Sequence, residues 1–416
     1  MTNAAVPGWH WRCLWQAPHR LAFAAAASLL LIASLWWLLQ LLEGWAGIAA
    51  WHGLVLAPAL LHGAVMVFGF FPLFFAGFIF TVGPKWLRVA GPAPRAIAWA
   101  VLPQLAGWLI WLVAGQLGAV PAASGVALAL AGSLMQYGRL AAMLLRSREA
   151  DRVHAGLIAL AGGIGLVSLT GLLAGLLQDD TGLARVWVQT GLWGFAFLTF
   201  AAAAHRMVPV LSSGHLPGPW HDWSVLGLLL GCAAVKVALA WCDWAGTSSA
   251  ASGLLGGSSL LLAGFCLLWV ALVWARVQGR GMRMMTMLHA GLIWLALAFV
   301  LDAASILGQL AGWRPSSLAA LHACAMGFMA TVMLAMVERV SCAYGGRKLT
   351  FEGRVWFAFW LLQAATLVRV AAELVATPWR SAWLLLAATL WILSLSPWCW
   401  QLLRWYGSQR PDCRPG

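Results

Sequence analysis

Twelve stretches of this chain stay apolar for about twenty residues each, and few folds tolerate that repeat, because a hydrocarbon core roughly 30 Å thick is crossed by about 20 helical residues. The stretches lie near 21–42, 54–82, 96–115, 119–143, 153–177, 184–211, 222–243, 253–276, 283–309, 315–338, 354–376 and 381–404. Lipid offers no hydrogen bonds, so backbone that crosses it must satisfy itself, and runs of this length predict helices. Of the 416 residues, 62% are hydrophobic and 9% charged, with a mean hydropathy of +0.85. A soluble domain of this length has no interior large enough for so much apolar surface. The expectation is an all-α polytopic membrane protein with twelve transmembrane helices, a single integral domain over 1–416 whose first partner is the lipid bilayer.

A formal charge of +13 raises nucleic acid as a partner, but the cations are dispersed at the ends of spans, so nucleic acid is not expected. Their placement reads instead as topology. With the N-terminus inside, inside segments hold 20 of the 25 Lys and Arg, outside loops hold Arg185, Arg314 and Arg380, and Lys236 and Arg369 fall within spans. The positive-inside rule then puts both termini in the cytoplasm, with 1–20 and 405–416 as cytoplasmic segments. The first apolar run is long enough to span and follows a Trp- and Arg-containing segment, so it reads as a retained anchor rather than a cleaved signal. Eight cysteines form no CxxC pair, which argues against a disulfide framework. Many of the 29 tryptophans, Trp36, Trp37, Trp45, Trp51, Trp220 and Trp223 among them, stand near span ends as interfacial belt residues.

Three histidines lie in apolar surroundings in the same setting: Leu61-His62-Gly63, Leu288-His289-Ala290 and Leu321-His322-Ala323. An ionisable ring in hydrocarbon is costly, and the small residue after each leaves room beside the imidazole. His62 and His322 enter from the outside, about eight and seven residues into spans two and ten, which places both on the order of 10–12 Å below the outer edge of the core. Each is followed four residues on by a methionine, Met66 and Met326, on the same helix face. Two neutral imidazoles at one level can supply both axial ligands of a haem iron. The alternative is two unrelated histidines, each bonded to a backbone carbonyl or hydroxyl. His289 lies nearer the inside and is a further ligand candidate, with His205 at a similar depth as a partner for a second metal or haem centre. His205 reads equally well as an interfacial histidine. His10, His19, His52, His215 and His221 read as solvated.

Lys236, Asp302 and Arg369 are ionisable residues within spans on the outer side of the midplane. Charges there need partners. Arg369 and Lys236 are placed to neutralise haem propionates, with Asp302 as their alternative partner. Methionines at 282, 284, 285 and 287 and at 326, 329, 333 and 336 offer soft sulfur for copper, but helical spacing makes the second set a packing stripe.

The stretch from Leu61 to Trp86, LHGAVMVFGFFPLFFAGFIFTVGPKW, resembles the second-span signature of the NnrS family: a histidine, a nearby methionine, a Gly-Phe, a later Ala-Gly-Phe and a Trp just past the span. Leu321 to Leu349, LHACAMGFMATVMLAMVERVSCAYGGRKL, is similar to the family's run that closes on Gly-Arg. His205 to Pro209 and Met287 to Trp294 are weaker echoes. The chain departs from the pattern at Tyr344, where a loop histidine is common, and at Lys85, where an asparagine is usual. The resemblance implies a haem- and copper-containing bacterial inner-membrane protein of nitric oxide metabolism and nitrosative stress, with a bundle like the large subunit of haem-copper oxidases. In those relatives, histidines on spans two and ten hold a low-spin haem, and His62 and His322 match that placement.

The expected function is therefore the binding or redox handling of nitric oxide or iron-nitrosyl species at a haem, of the b type, with copper as a further cofactor and an electron donor as a further partner. Span seven has no adjacent histidine pair, so a proton-pumping oxidase is not expected. The readings from other classes are a secondary transporter for copper or a small solute, and an assembly factor for a respiratory complex. Internal two-fold repetition, which would favour a transporter, is not visible in the sequence.

Overall fold

The structure, a computed structural model, describes residues 8–47, 56–211, 222–277, 283–313, 316–349, 353–375 and 378–411. Twelve helices are long and apolar enough to cross a membrane: span 1 Pro18–Ala46, span 2 Pro58–Ile79, span 3 Pro94–Ala114, span 4 Ala119–Arg146, span 5 Val153–Leu177, span 6 Thr181–Met207, span 7 Trp223–Trp244, span 8 Ala250–Arg276, span 9 Arg283–Leu310, span 10 Leu318–Gly345, span 11 Arg354–Leu374 and span 12 Arg380–Tyr406. No strand occurs among the described residues. Local chemistry sets several of the starts. Proline opens spans 1, 2 and 3, where its missing N–H costs no hydrogen bond. The Asp180 and Asp222 carboxylates cap spans 6 and 7 by accepting from the Leu183 and Ser224 amides at 2.8 and 2.9 Å.

An even span count brings the chain's ends to one face, the termini side, and they are tied together there. The His10 amide donates to the Gly407 carbonyl at 2.7 Å, and Trp9 Nε1 to the Leu403 carbonyl at 3.0 Å. Glycine lets backbones meet between spans 3 and 4: a Cβ on Gly132 would stand 2.6 Å from the Ala100 carbonyl, and one on Gly107 would collide with the Gly125 carbonyl. Close approach through small residues is how helices pack where lipid removes the hydrophobic drive. Polar side chains reinforce the same contact, with Gln104 Nε2 donating to Gln136 Oε1 at 2.9 Å and Gln136 Nε2 to the Pro72 carbonyl at 3.1 Å. Each such bond contributes about 0.6 kcal/mol on average.

Spans 2, 6 and 10, four apart in order, are the inner helices. They are 78%, 83% and 83% buried over their most apolar stretch, against 28% and 33% for spans 7 and 8. Each of the three contains a widened, π-helical turn carrying a Gly-Phe pair: Met66–Phe70, Leu192–Phe197 and Ala323–Ala330. π-turns are rare and concentrate at functional sites. Phenylalanines from the three turns and the residues just beyond join them, Phe75 to Phe195 at 5.9 Å, Phe71 to Phe200 at 5.1 Å and Phe197 to Phe328 at 6.2 Å between ring centres. Deeper toward the termini side the same three helices bound an apolar cavity of about 60 Å³. Met329, Met333 and Met336 of the methionine stripe are buried, and the last two line that cavity.

Three boundaries that bear on the site differ from the expected ones. Span 10 continues to Gly345 rather than ending at 338, so Tyr344 stands in the last helical turn and not in a loop. Spans 2 and 10 begin at Pro58 and Leu318, later than 54 and 315. His52, His215, His221, Arg314, Trp51 and Trp220 lie outside the described residues.

Candidate cofactor site

His62 is the fifth residue of span 2, counted from Pro58, and His322 the fifth of span 10, counted from Leu318. Both sit about 6 Å along their helices from the face opposite the termini, at matching depth but shallower than expected because the helices start later. Both residues are half-buried. Arg369, five residues before the end of span 11 at Leu374, lies at a similar depth on that side. No hydrogen bond joins the two rings among the described residues.

Their hydrogen bonding sets what they can do. His322 Nδ1 lies 2.8 Å from the Leu318 carbonyl one turn back, an acceptor only, so Nδ1 carries the proton and Nε2 keeps its lone pair. A bond of that kind fixes the tautomer of a ligating histidine. His62 Nδ1 is buried without a hydrogen-bond partner among the described residues. Its ring stacks on Trp37 with centres 4.2 Å apart and planes 18° apart. A buried ring nitrogen left unsatisfied is costly, which marks the position as one whose role goes beyond packing.

The intramembrane charges divide into two sets. Lys236 pairs directly with Asp302, which is 2% exposed, and its ammonium stands 5.2 Å from the Trp193 ring centre. The direct pair is one of the two arrangements open at the sequence level, and it occupies the cation that propionate binding would have used. Arg369 turns instead to Glu373, one turn later on span 11, at 2.6 Å, and Arg380 holds both Glu373 oxygens at 2.7 and 2.9 Å. Glu373 takes the place of Asp302 as the partner of Arg369. Two guanidiniums on one carboxylate leave a local excess of positive charge beside the histidines.

On the termini side, His205 meets His154 rather than His289. His154 Nε2 and His205 Nδ1 are 2.9 Å apart and both residues are buried. Arg206 donates toward His154 Nδ1 at 3.4 Å, and His205 Nε2 approaches the Asp222 carbonyl at 3.3 Å. One proton arrangement satisfies the chain: Arg206 to His154, His154 Nε2–H to His205, and His205 Nε2–H to the carbonyl. His289 packs its ring edge-on against Trp274 at 5.6 Å, and its Nδ1 has no partner among the described residues.

Sequence reasoning also passed over three buried polar groups. His154 follows Arg152 at the mouth of span 5 and resembles a loop residue until span 6 is placed beside it. Glu338 accepts from Trp398 Nε1 at 3.1 Å and Gln401 Nε2 at 3.3 Å. His19, expected to be solvated, is 1% exposed and packed against Tyr344 and Tyr406. No three His, Cys, Asp or Glu side chains converge as a metal site among the described residues.

The family described as NnrS protein matches residues 13–410. This chain belongs to the NnrS family. Membership fits a membrane protein of the nitric oxide stress response, in keeping with the twelve spans. No curated protein matches the chain.

Proposed function

We propose that this NnrS-family chain binds haem through His62 and His322 and uses it to bind or redox-handle nitric oxide or an iron-nitrosyl species in the bacterial inner membrane, with both termini cytoplasmic. The observation that carries the reading is the His62–His322 pair: two rings at equal depth on the innermost helices, unbonded to each other, one with its lone pair freed by the Leu318 carbonyl and the other with an orphaned nitrogen. These residues fit the donor set of a haem. When bound, the iron would supply reversible electron transfer or a seat for nitric oxide. The protein's part is orientation and charge. Leu318 holds the His322 tautomer, Trp37 fixes the His62 plane, and Arg369 with Arg380 supplies cations for acidic groups at the rim. Redox handling needs an electron donor as partner. A bundle like the large subunit of haem-copper oxidases rests on the same placement of spans 2 and 10. Copper, the further cofactor the family implies, would need donors beyond a cluster of three His, Cys, Asp or Glu side chains, which is not found among the described residues.

The test is absorption spectroscopy of the purified protein, oxidised and reduced, for the unaltered chain and for His62→Ala and His322→Ala, with and without nitric oxide. Loss of the haem bands in both variants and a nitric-oxide-dependent shift in the unaltered chain support the reading. A colourless protein after haem supplementation would sink it and promote the transporter reading.

A further inference from the structure

Span 3 carries Arg95, Trp99, Leu102 and Ala106 at spacings of four, three and four residues, which puts them on one face of the helix. That face is turned outward: Trp99 and Leu102 are 68% and 43% exposed. It lines a groove of about 760 Å³, to which the short helix Trp11–Trp15 adds Trp11 and Arg12, and span 4 adds Leu128. Arg95 is the second residue of span 3 and Arg12 precedes span 1, so both cations stand at the termini-side end of the groove. Ala106 lies eleven residues further along the helix, on the order of 17 Å deeper at about 1.5 Å per residue. The groove therefore reaches about as deep as one leaflet of a hydrocarbon core roughly 30 Å thick.

The short helix is fastened independently of anything in the groove. Arg20 Nη1 donates to the Cys13 carbonyl at 3.4 Å, and Cys13 itself is buried. On its N-terminal side Trp9 and His10 are tied to Leu403 and Gly407. A concavity held open in this way does not have to be ordered when a ligand arrives.

Charge and apolar surface are segregated along the groove. No Asp or Glu lines it, and neither Arg12 nor Arg95 has an ion pair among the described residues. Both arginines are exposed, and Arg12 stands 5.8 Å from the Trp11 ring centre. A soluble anion would answer the arginines and leave the stripe below them uncovered. A neutral lipid would cover the stripe and leave the arginines unanswered. One molecule with a phosphate at its head and a hydrocarbon chain below it satisfies both, since a guanidinium fork suits phosphate oxygens and Trp and Leu suit an acyl chain.

We propose that this groove binds one anionic phospholipid of the termini-side leaflet, its phosphate held by Arg12 and Arg95 and an acyl chain laid along Trp99, Leu102 and Ala106. The bound lipid bridges the short helix to span 3.

The test uses the full chain in a neutral detergent and compares retention of phosphatidylglycerol and phosphatidylcholine with matched chains by native mass spectrometry. The unaltered chain is expected to retain one phosphatidylglycerol in preference to phosphatidylcholine. Arg12→Gln and Arg95→Gln should each weaken that retention about fivefold, the effect of one cation near an anionic lipid, and the double variant should retain the two lipids alike. Arg95→Lys should restore part of the preference. Trp99→Ala should weaken both lipids together, because it removes apolar contact and no charge. Arg146→Gln, an exposed cation at the end of span 4 outside the groove, should change nothing. Equal retention of the two lipids by the unaltered chain, a preference that survives in the double arginine variant, or an equal loss in Arg146→Gln would overturn the proposal.

Discussion

Two pairs of histidines sit on or beside the inner helices of this protein, and they are built in opposite ways. His154 and His205 close on each other at 2.9 Å, with Arg206 at one end and the Asp222 carbonyl at the other, so every ring nitrogen has a neighbour. His62 and His322 share a depth on the other side, yet one keeps a lone pair unused and the other an orphaned nitrogen. A closed pair gives its hydrogen-bonding capacity to the fold. An open pair costs the fold something and keeps that capacity for a ligand. The Lys236–Asp302 pair belongs with the first kind and the Arg369–Glu373–Arg380 group, with its surplus cation, with the second.

The largest expected effect separates the two pairs outright. His62→Ala and His322→Ala should abolish the haem spectrum while leaving the thermal unfolding midpoint of the haem-free protein near that of the unaltered chain. His154→Ala should do the reverse. Arg369→Leu is expected to reduce haem occupancy without eliminating it, read as the ratio of haem to protein absorbance. Unchanged occupancy would remove Arg369 from the site and leave Glu373 as its only business.

Next in size is the buried ion pair. Asp302→Ala strands the Lys236 ammonium in a low-dielectric interior, and breaking such a pair costs about 3–5 kcal/mol. Replacing both, with Lys236→Met and Asp302→Leu, should return most of that stability in a detergent unfolding assay. The double variant should also keep its haem. Haem loss in that background would assign Lys236 to the cofactor after all and blur the division between closed and open groups.

His205→Ala should follow, at about 1–3 kcal/mol, the cost of leaving a buried partner unsatisfied. The unfolding midpoint should fall with the haem spectrum intact. A haem spectrum altered in this variant would mean that the termini-side pair carries cofactor chemistry of its own.

How much of this was legible in the sequence follows from what each signal measures. Apolar length and the bias of Lys and Arg locate spans, because both report directly on the bilayer, and all twelve spans are present, with ends within a few residues of those expected except the end of span 10. Depth along a helix is likewise countable, so His62 and His322 could be matched before any fold was known. Azimuth is not countable. Nothing in the sequence says which helices are neighbours, and so His205 was matched by depth to His289 on span 9 when span 5 beside it carries His154. The π-turns are also hidden, since they change hydrogen-bond register without changing residue type; each carries a Gly-Phe, at 69–70, 194–195 and 327–328, but the same pair at 77–78 and 264–265 lies in ordinary α-helix. Glu373 and Glu338 were overlooked for a different reason: Glu373 lies within a turn of the end of span 11 and Glu338 at the expected end of span 10, where a carboxylate resembles an interfacial residue until its partners are seen.

The smallest effect probes the outer support of the closed pair. Asp222 caps span 7, and its bond from the Ser224 amide holds the carboxyl below its ordinary value of 3.8. A depressed carboxylate contributes stability that is present above that ordinary value and is lost as pH falls through the lower folded one. Cap protonation in acid should therefore fray the first turn of span 7 and loosen the carbonyl that receives His205 Nε2. Hydrogen exchange of the Ser224 amide is expected to quicken below about pH 4, and Asp222→Ala should show the fast rate at every pH. Because Asp222 also presents the carbonyl, Asp222→Asn, which keeps a capping oxygen without a titrating group, should hold the slow rate in acid. An Asn variant that frays with falling pH as the unaltered chain does would trace the effect to the histidines instead of the cap, and would show that the closed pair itself opens on protonation.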